Sequence, residues 1–208
     1  MVFGASFKIT NIVILENREK GQLFVSMPRY RSNERDENNS VVYKDICNPI
    51  TAEFCDELYG NILDTYEETV NKAQNQKQQG KSAEKTVELS EFSVKVSPFE
   101  KEGSNIRGLA RIYFEDSFIV NNVSILQGKG KVFVAMPSYK TKQTDEHGKA
   151  VYQDVCYPLQ RSSVKKLYGK IVEEYEKAKE QSETKARETS EQQIVSERAQ
   201  EYETTSFR

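Results

Sequence analysis

Residues 130–139 read GKVFVAMPSY, and residues 21–30 read GQLFVSMPRY. The correspondence continues downstream. VVYKDICNPI at 41–50 faces AVYQDVCYPL at 150–159, and ELYGNILDTYEE at 57–68 faces KLYGKIVEEYEK at 166–177. The offset stays at 109 residues from Lys20 to Glu67 without a gap, and 20 of these 48 positions are identical. Upstream, SFKITNIVIL at 6–15 faces SFIVNNVSIL at 117–126, now at an offset of 111. Two repeats of this length mean two similar domains, because the units of a solenoid are shorter and more numerous.

Each copy reads as strands followed by one helix. Residues 7–15 and 23–27, and residues 118–126 and 132–136, are rich in β-branched and aromatic side chains and are expected to be strands. Pro28 and Pro137 end the second strand of each pair, since proline has no N–H for a ladder. Polar loops are expected from 29 to 40 and from 138 to 148, then a short extended piece ending at Pro49 and Pro158. The helix of the second copy places Val164, Leu167, Tyr168, Ile171, Val172 and Tyr175 on one face. That of the first copy does the same with Phe54, Leu58, Tyr59, Ile62, Leu63 and Tyr66. The second copy alone is preceded by a hairpin pattern. Phe92, Val94 and Val96 alternate, a turn falls at 102–105, and an apolar run follows at 109–114. The first copy begins at Met1, five residues before its matching strand; either its first strands are absent or the chain is a trimmed version of a longer one. The organisation is therefore a first copy at 1–72, a linker rich in Gln, Lys and Asn at 73–87, a complete second copy at 88–179, and a polar tail at 180–208, helical or disordered.

Composition excludes several classes of function. The 208 residues carry 30 Lys+Arg and 32 Asp+Glu, so the chain as a whole is no strongly basic nucleic-acid binder, although a local patch is compatible with these numbers. No apolar run reaches the roughly 18 residues of a membrane span, and residues 1–10 lack the pattern of a signal peptide. Three cysteines, an odd number, argue for a reducing cytoplasm rather than a disulfide framework. Cys47 and Cys156 occupy matching positions but have no partner at ligand spacing, so they read as small buried residues; Cys55 is not repeated. His147, the only histidine, stands beside Gly148 with no nucleophile or carboxylate arranged around it by motif. No catalytic residues, metal or cofactor are expected.

The blocks LFVSMP and VFVAMP, each followed by D-[IV]-C-x-P and an amphipathic helix, resemble the SpoVG family of bacterial septation regulators. The second copy looks like a complete member from about 89 to 177; the first resembles the family from Ser6 onward without its first hairpin. Together they cover about three quarters of the chain. The resemblance implies an α+β fold, two domains each with an antiparallel sheet and a C-terminal amphipathic helix. Because members usually form homodimers, a tandem pair implies an intramolecular pseudo-dimer. It also implies a non-catalytic DNA- and RNA-binding regulator connected with septation and sporulation, its nucleic-acid contacts made largely by basic residues of the helix.

Those residues carry over to one copy only. The second helix has Arg161, Lys165, Lys166 and Lys170 where the first has Ala52, Asp56, Glu57 and Asn61. Residues 88–176 hold 13 basic and 12 acidic side chains, a net +1; residues 1–70 hold 7 and 12, a net −5. Lys and Arg attract phosphates through charge alone, but such a row is also what an ordinary solvated helix face looks like. On the helical wheel Arg161 and Lys165 flank the apolar stripe, with Lys166 and Lys170 on the solvent side. In the polar loops Arg29, Tyr30 and Arg31, and Tyr139 with Lys140 and Lys142, set an aromatic ring beside cations. That arrangement suits a stacked base with a held phosphate, or a tyrosine that simply folds back onto the sheet. The nucleic-acid site is thus expected at Arg161, Lys165, Lys166, Lys170, Lys140 and Lys142, with DNA or RNA as partner. The alternative is a protein-interaction module that has lost nucleic-acid binding and pairs with itself or with a single-copy relative. Neither reading involves a membrane or a small-molecule substrate.

Overall fold

The computed structural model describes residues 1–3, 6–75, 91–99 and 103–205, with the backbone alone for residues 3, 73–75 and 185–205. The first copy runs β1 (Val2–Phe3), β2 (Phe7–Ile9), β3 (Val13–Asn17), β4 (Gln22–Ser26), β5 (Arg29–Arg35), β6 (Val41–Asp45), β7 (Cys47–Pro49) and α1 (Ala52–Asn75). The second runs β8 (Phe92–Pro98), β9 (Ile106–Phe114), β10 (Phe118–Gln127), β11 (Val132–Ala135), β12 (Ser138–Thr144), β13 (Ala150–Asp154), β14 (Cys156–Pro158) and α2 (Arg161–Thr205). The class is α+β, with antiparallel sheets and two helices.

In the second copy the strands lie in the order β11–β10–β9–β8, and α2 packs on β8, β11 and β14. The alternation seen in the sequence is the cause. Ala110, Ile112, Phe114, Phe118, Val120, Val123 and Ile125 face the core and are buried, and Leu167, Ile171 and Tyr175 of α2 close over them.

The end of each copy lies in the sheet of the other. β7 pairs with β10 (Cys47 with Val120, Pro49 with Phe118), and β14 pairs with β2 (Cys156 with Ile9, Pro158 with Phe7). The flanking bonds repeat at the offsets of the sequence duplication. Ile50 N donates to Ser117 O (2.8 Å) as Leu159 N does to Ser6 O (2.7 Å); Asn121 N donates to Ile46 O (2.7 Å) as Thr10 N does to Val155 O (2.8 Å). Buried residues of both copies form one cluster. Within it Phe7 stacks obliquely on Phe114 at 4.9 Å, and Phe54 of α1 meets Phe118 edge-on at 6.4 Å.

Three sequence expectations are corrected. The strand expected over 7–15 is broken into β2 and β3. Asn11, at φ 58°, leaves extended geometry, as does its counterpart Asn122 at φ 59°. In the second copy the continuous neighbour β9 holds β10 together as a bulge; in the first, the strand beside β2 in the place of β9 is the two-residue β1, with β14 on the other side. The polar loops at 29–40 and 138–148 are antiparallel hairpins, β5–β6 and β12–β13. Their turns are built by Asp36 and Asp145, whose Oδ1 atoms accept from the backbone N–H of Asn38 and Ser40 and of His147 and Lys149, with Asn39 and Gly148 supplying positive φ. Largely exposed, they lack the apolar alternation that marks a strand. Finally, the first copy is not wholly without its early strands, since Val2 and Phe3 pair with Lys8 and Phe7 as Tyr113 and Phe114 pair with Ile119 and Phe118. Helix α1 takes up residues 73–75 of the expected linker, and the rest of it lies outside the described residues.

Candidate nucleic-acid interface

Helix α2 starts at Arg161, with two residues between it and the end of β14, its first turn closed by Val164 N donating to Gln160 O at 2.9 Å. Its buried face fixes which residues point away. Arg161 and Lys165 are exposed and form no ion pair among the described residues. Lys166 is exposed too, but its ammonium rests 5.7 Å from the centre of the Phe92 ring. Lys170 is half-buried and held by Glu174 at 3.1 Å and Glu173 at 3.4 Å, and these carboxylates raise its pKa. Lys177 closes the same network on Glu173 and Glu174. The four cations of the helix are therefore unequal. Two are free to meet a phosphate, one leans on a ring, and one is already neutralised by its neighbours.

On β12, Lys140 and Lys142 are exposed on one face. Tyr139, which the sequence sets next to them, lies on the other face, half-buried, and donates from Oη to Gln153 Oε1 at 2.8 Å. The ring on the face of the lysines is instead Tyr152, directly across the ladder from Lys140 and 63% exposed. The first copy repeats this with Arg31 across from Tyr43, 57% exposed. Two of its other hairpin cations are engaged, Lys44 with Glu34, and Arg29 with Asp45 at 4.0 Å and Ser26 Oγ at 2.9 Å, while Arg35 is exposed. Sequence reasoning missed Tyr43 and Tyr152 because the cross-strand register that sets them beside cations is invisible until the loop is known to be a hairpin. It also missed Lys95 and Arg111, which face each other on β8 and β9 and are exposed. Their signal was present, since both fall on the polar phase of an alternating strand. Arg111 further joins Tyr30, Lys44, Asn48, Asn121 and Asn122 around a polar cleft at the junction of the copies.

Cys47 and Cys156 are fully buried. Burial, aided by the charge of Asp45, pushes the Cys47 thiol up to about 12, and burial raises Cys156 as well, with Cys47 contributing across the junction. Among the described residues no group of three or more His, Cys, Asp or Glu side chains could hold a metal ion, and no helix is long and apolar enough to cross a membrane.

Comparison with known proteins locates both copies in one family. The SpoVG family model matches residues 1–68 and 89–177. Among similar proteins, one from Thermoanaerobacter sp. (strain X514) is 32% identical over 88 residues, which are 42% of this chain and 88% of the relative. One from Caldanaerobacter subterraneus subsp. tengcongensis is 32% identical over 92 residues, 44% of this chain and 93% of the relative. One from Clostridium acetobutylicum is 30% identical over 92 residues, 44% and 90% of the two chains. All three carry the name septation protein SpoVG, and each has the length of a single copy.

Proposed function

The chain belongs to the SpoVG family, and from that premise we propose that it is a non-catalytic regulatory protein of the septation type that binds DNA or RNA through its second copy. The observation that carries this reading is the divergence of two equivalent helices. On matching turns of the same fold, α2 presents Arg161, Lys165 and Lys166 to solvent, whereas α1 presents Ala52, Asp56 and Glu57. Phosphate contacts are additive in charge, so an acidic helix repels the backbone that a basic one attracts. Lys140 and Lys142, with Tyr152 beside them, add a second contact in which a ring can stack on a base while the cations hold phosphate. The two copies serve as the halves of a fused dimer, a reading supported by their reciprocal strand pairing.

The test is fluorescence anisotropy with random-sequence DNA and RNA fragments over a salt series. About four engaged cations give a slope of log K against log salt near −3 to −4 on duplex DNA. The double substitution K165D/K166E, which writes the residues of the first copy into the second, is expected to abolish binding while leaving the fold intact by circular dichroism. Unchanged affinity in that variant refutes the proposal.

A further inference from the structure

The bulge in β10 builds a polar cleft. Between Val120 and Val123 the strand takes three steps where β9 takes two, from Ile112 to Ala110, so Asn121 and Asn122 together stand opposite Arg111. Strand β7, paired with β10, adds Asn48, and the hairpin β5–β6 adds Tyr30 and Lys44, which face each other across its ladder. These side chains surround an open cleft of about 410 Å³, within the size range of small-ligand sites. Its charges resolve pair by pair. Lys44 is engaged by Glu34, and Asp45, also on the wall, faces Arg29 at 4.0 Å. Glu174 and Lys177, which line a neighbouring hollow with Arg111, hold each other at 3.2 Å. Lys95, across the ladder from Arg111, adds a like charge and leans on the Tyr113 ring at 5.1 Å. Arg111 therefore brings to the cleft a positive charge with no carboxylate on it among the described residues.

The matching junction, where β14 meets β2, has the same backbone and different chemistry. Thr10 stands in the place of Asn121 and spends its hydroxyl on Asp154 O (3.2 Å) and Val155 O (2.9 Å). Tyr157 replaces Asn48, and Tyr139, the counterpart of Tyr30, is tied to Gln153, the counterpart of Lys44. At the cleft the polar groups are less committed. Asn121 Nδ2 donates to Asp45 O at 3.3 Å and Asn48 Nδ2 to Pro49 O at 2.9 Å, which leaves both amide oxygens open. Tyr30, 36% exposed, faces an ammonium that cannot accept its proton. We propose that this cleft binds one adenine nucleotide, free or as a unit of a single strand, with the phosphate on Arg111 and the base between Tyr30 and the asparagines. A guanidinium offers phosphate a two-pronged contact. An asparagine amide sets a donor beside an acceptor, the complement of adenine N6 and N7. The exposed tyrosine supplies a face for stacking. In its strand-borne form the inference rests on the nucleic-acid reading above; in its free form it does not.

The experiment follows the side-chain NMR signals of the full chain while AMP, and separately a short oligoadenylate RNA, is added, with UMP and oligouridylate as controls. The amides of Asn48, Asn121 and Asn122 and the guanidinium of Arg111 are expected to shift saturably, and the amide of Asn11, at the matching turn of the other junction, to stay still. A response to AMP assigns the site to a free nucleotide; a response to oligoadenylate alone assigns it to a unit of a strand. Asn122→Gly removes the amide and keeps a residue suited to the left-handed backbone at φ 59°. Arg111→Lys keeps the charge and removes the fork. Each is expected to weaken binding by roughly tenfold, with an unchanged melting temperature. If random fragments fail to bind while AMP still moves the three asparagines, the proposed function falls and the cleft stands. No movement of the asparagines with either adenine ligand, wild-type affinity in both variants, or an equal response to the uracil controls overturns the inference.

Discussion

Replacing Ile171 by Ala should destabilise this protein far more than replacing Ile62 by Ala, although the two residues are identical and sit at the same place in the repeat. Ile171 is 0% exposed, enclosed between α2 and the hairpin β8–β9. Removing three carbons at about 0.8 kcal/mol each costs about 2.4 kcal/mol in transfer free energy. The cavity left under the hairpin brings the total to about 3–4 kcal/mol, within the usual range for a buried isoleucine. Ile62 is half-buried, so roughly half the transfer term is lost and water reaches the space left, a cost of about 1 kcal/mol. With an m-value of about 2 kcal/mol/M in urea, the midpoint should fall by about 1.5–2 M for Ile171→Ala and about 0.5 M for Ile62→Ala. Urea titrations followed by helical circular dichroism, with m held constant, measure both. Equal shifts, or a larger one for Ile62, would refute the reasoning, because Ile62 would then be as enclosed as Ile171.

Three further outcomes follow. Tyr152→Ala should reduce affinity for single-stranded DNA or RNA by about 5- to 150-fold, the worth of one stacked base, whereas Tyr139→Ala, whose ring faces away, should not; both are read by anisotropy at fixed salt. In the folded protein Cys55 should react with a disulfide reagent well before Cys47 and Cys156, whose burial holds the thiols neutral; simultaneous release of all three under native conditions would contradict the buried junction. Lys177 and Lys170 lower the pKa of both Glu173 and Glu174 from 4.5, so their stabilising contribution is present above that value and is lost as pH falls through the depressed folded-state values. The double variant E173Q/E174Q should therefore melt below the wild type at neutral pH, and the gap should close in acid; a gap that widens there would reverse the sign.

Much of the fold was legible because the sequence is written twice. Offsets of 109 and 111 align every strand and helix of the two copies from Phe7 onward, and apolar alternation in Phe92, Val94 and Val96 marks the hairpin of the second copy. What stayed illegible was decided by tertiary partners. Asn11 and Asn122 have the same left-handed backbone, yet one ends a strand and the other makes a bulge, since only Asn122 has β9 alongside. Arg29 to Arg35 looked like a loop because a hairpin wet on both faces needs no apolar period, so its signal was confined to the Asx turn at Asp36. The site was half legible. Charge distinguished α2 from α1, but register decided that Tyr152, and not Tyr139, stands with Lys140, and packing decided that Lys170 is spent on Glu173 and Glu174.

The exchange of last strands between the sheets bears on how the protein is made. Thr10 bonds to Val155, 145 residues away along the chain. At roughly 5–20 residues per second, a ribosome needs about 7–30 s after making β2 before β14 emerges to cover it. Until Phe114 and then β14 are made, Phe7 and Ile9, almost wholly buried in the finished molecule, have only neighbours from earlier in the chain. The nascent first copy is therefore a waiting intermediate, open to chaperones and to strand exchange with a neighbouring chain on the same message. A chain cut between its copies should correspondingly yield two fragments that each remain incomplete and become native only on mixing, so the two halves form a natural split-protein pair.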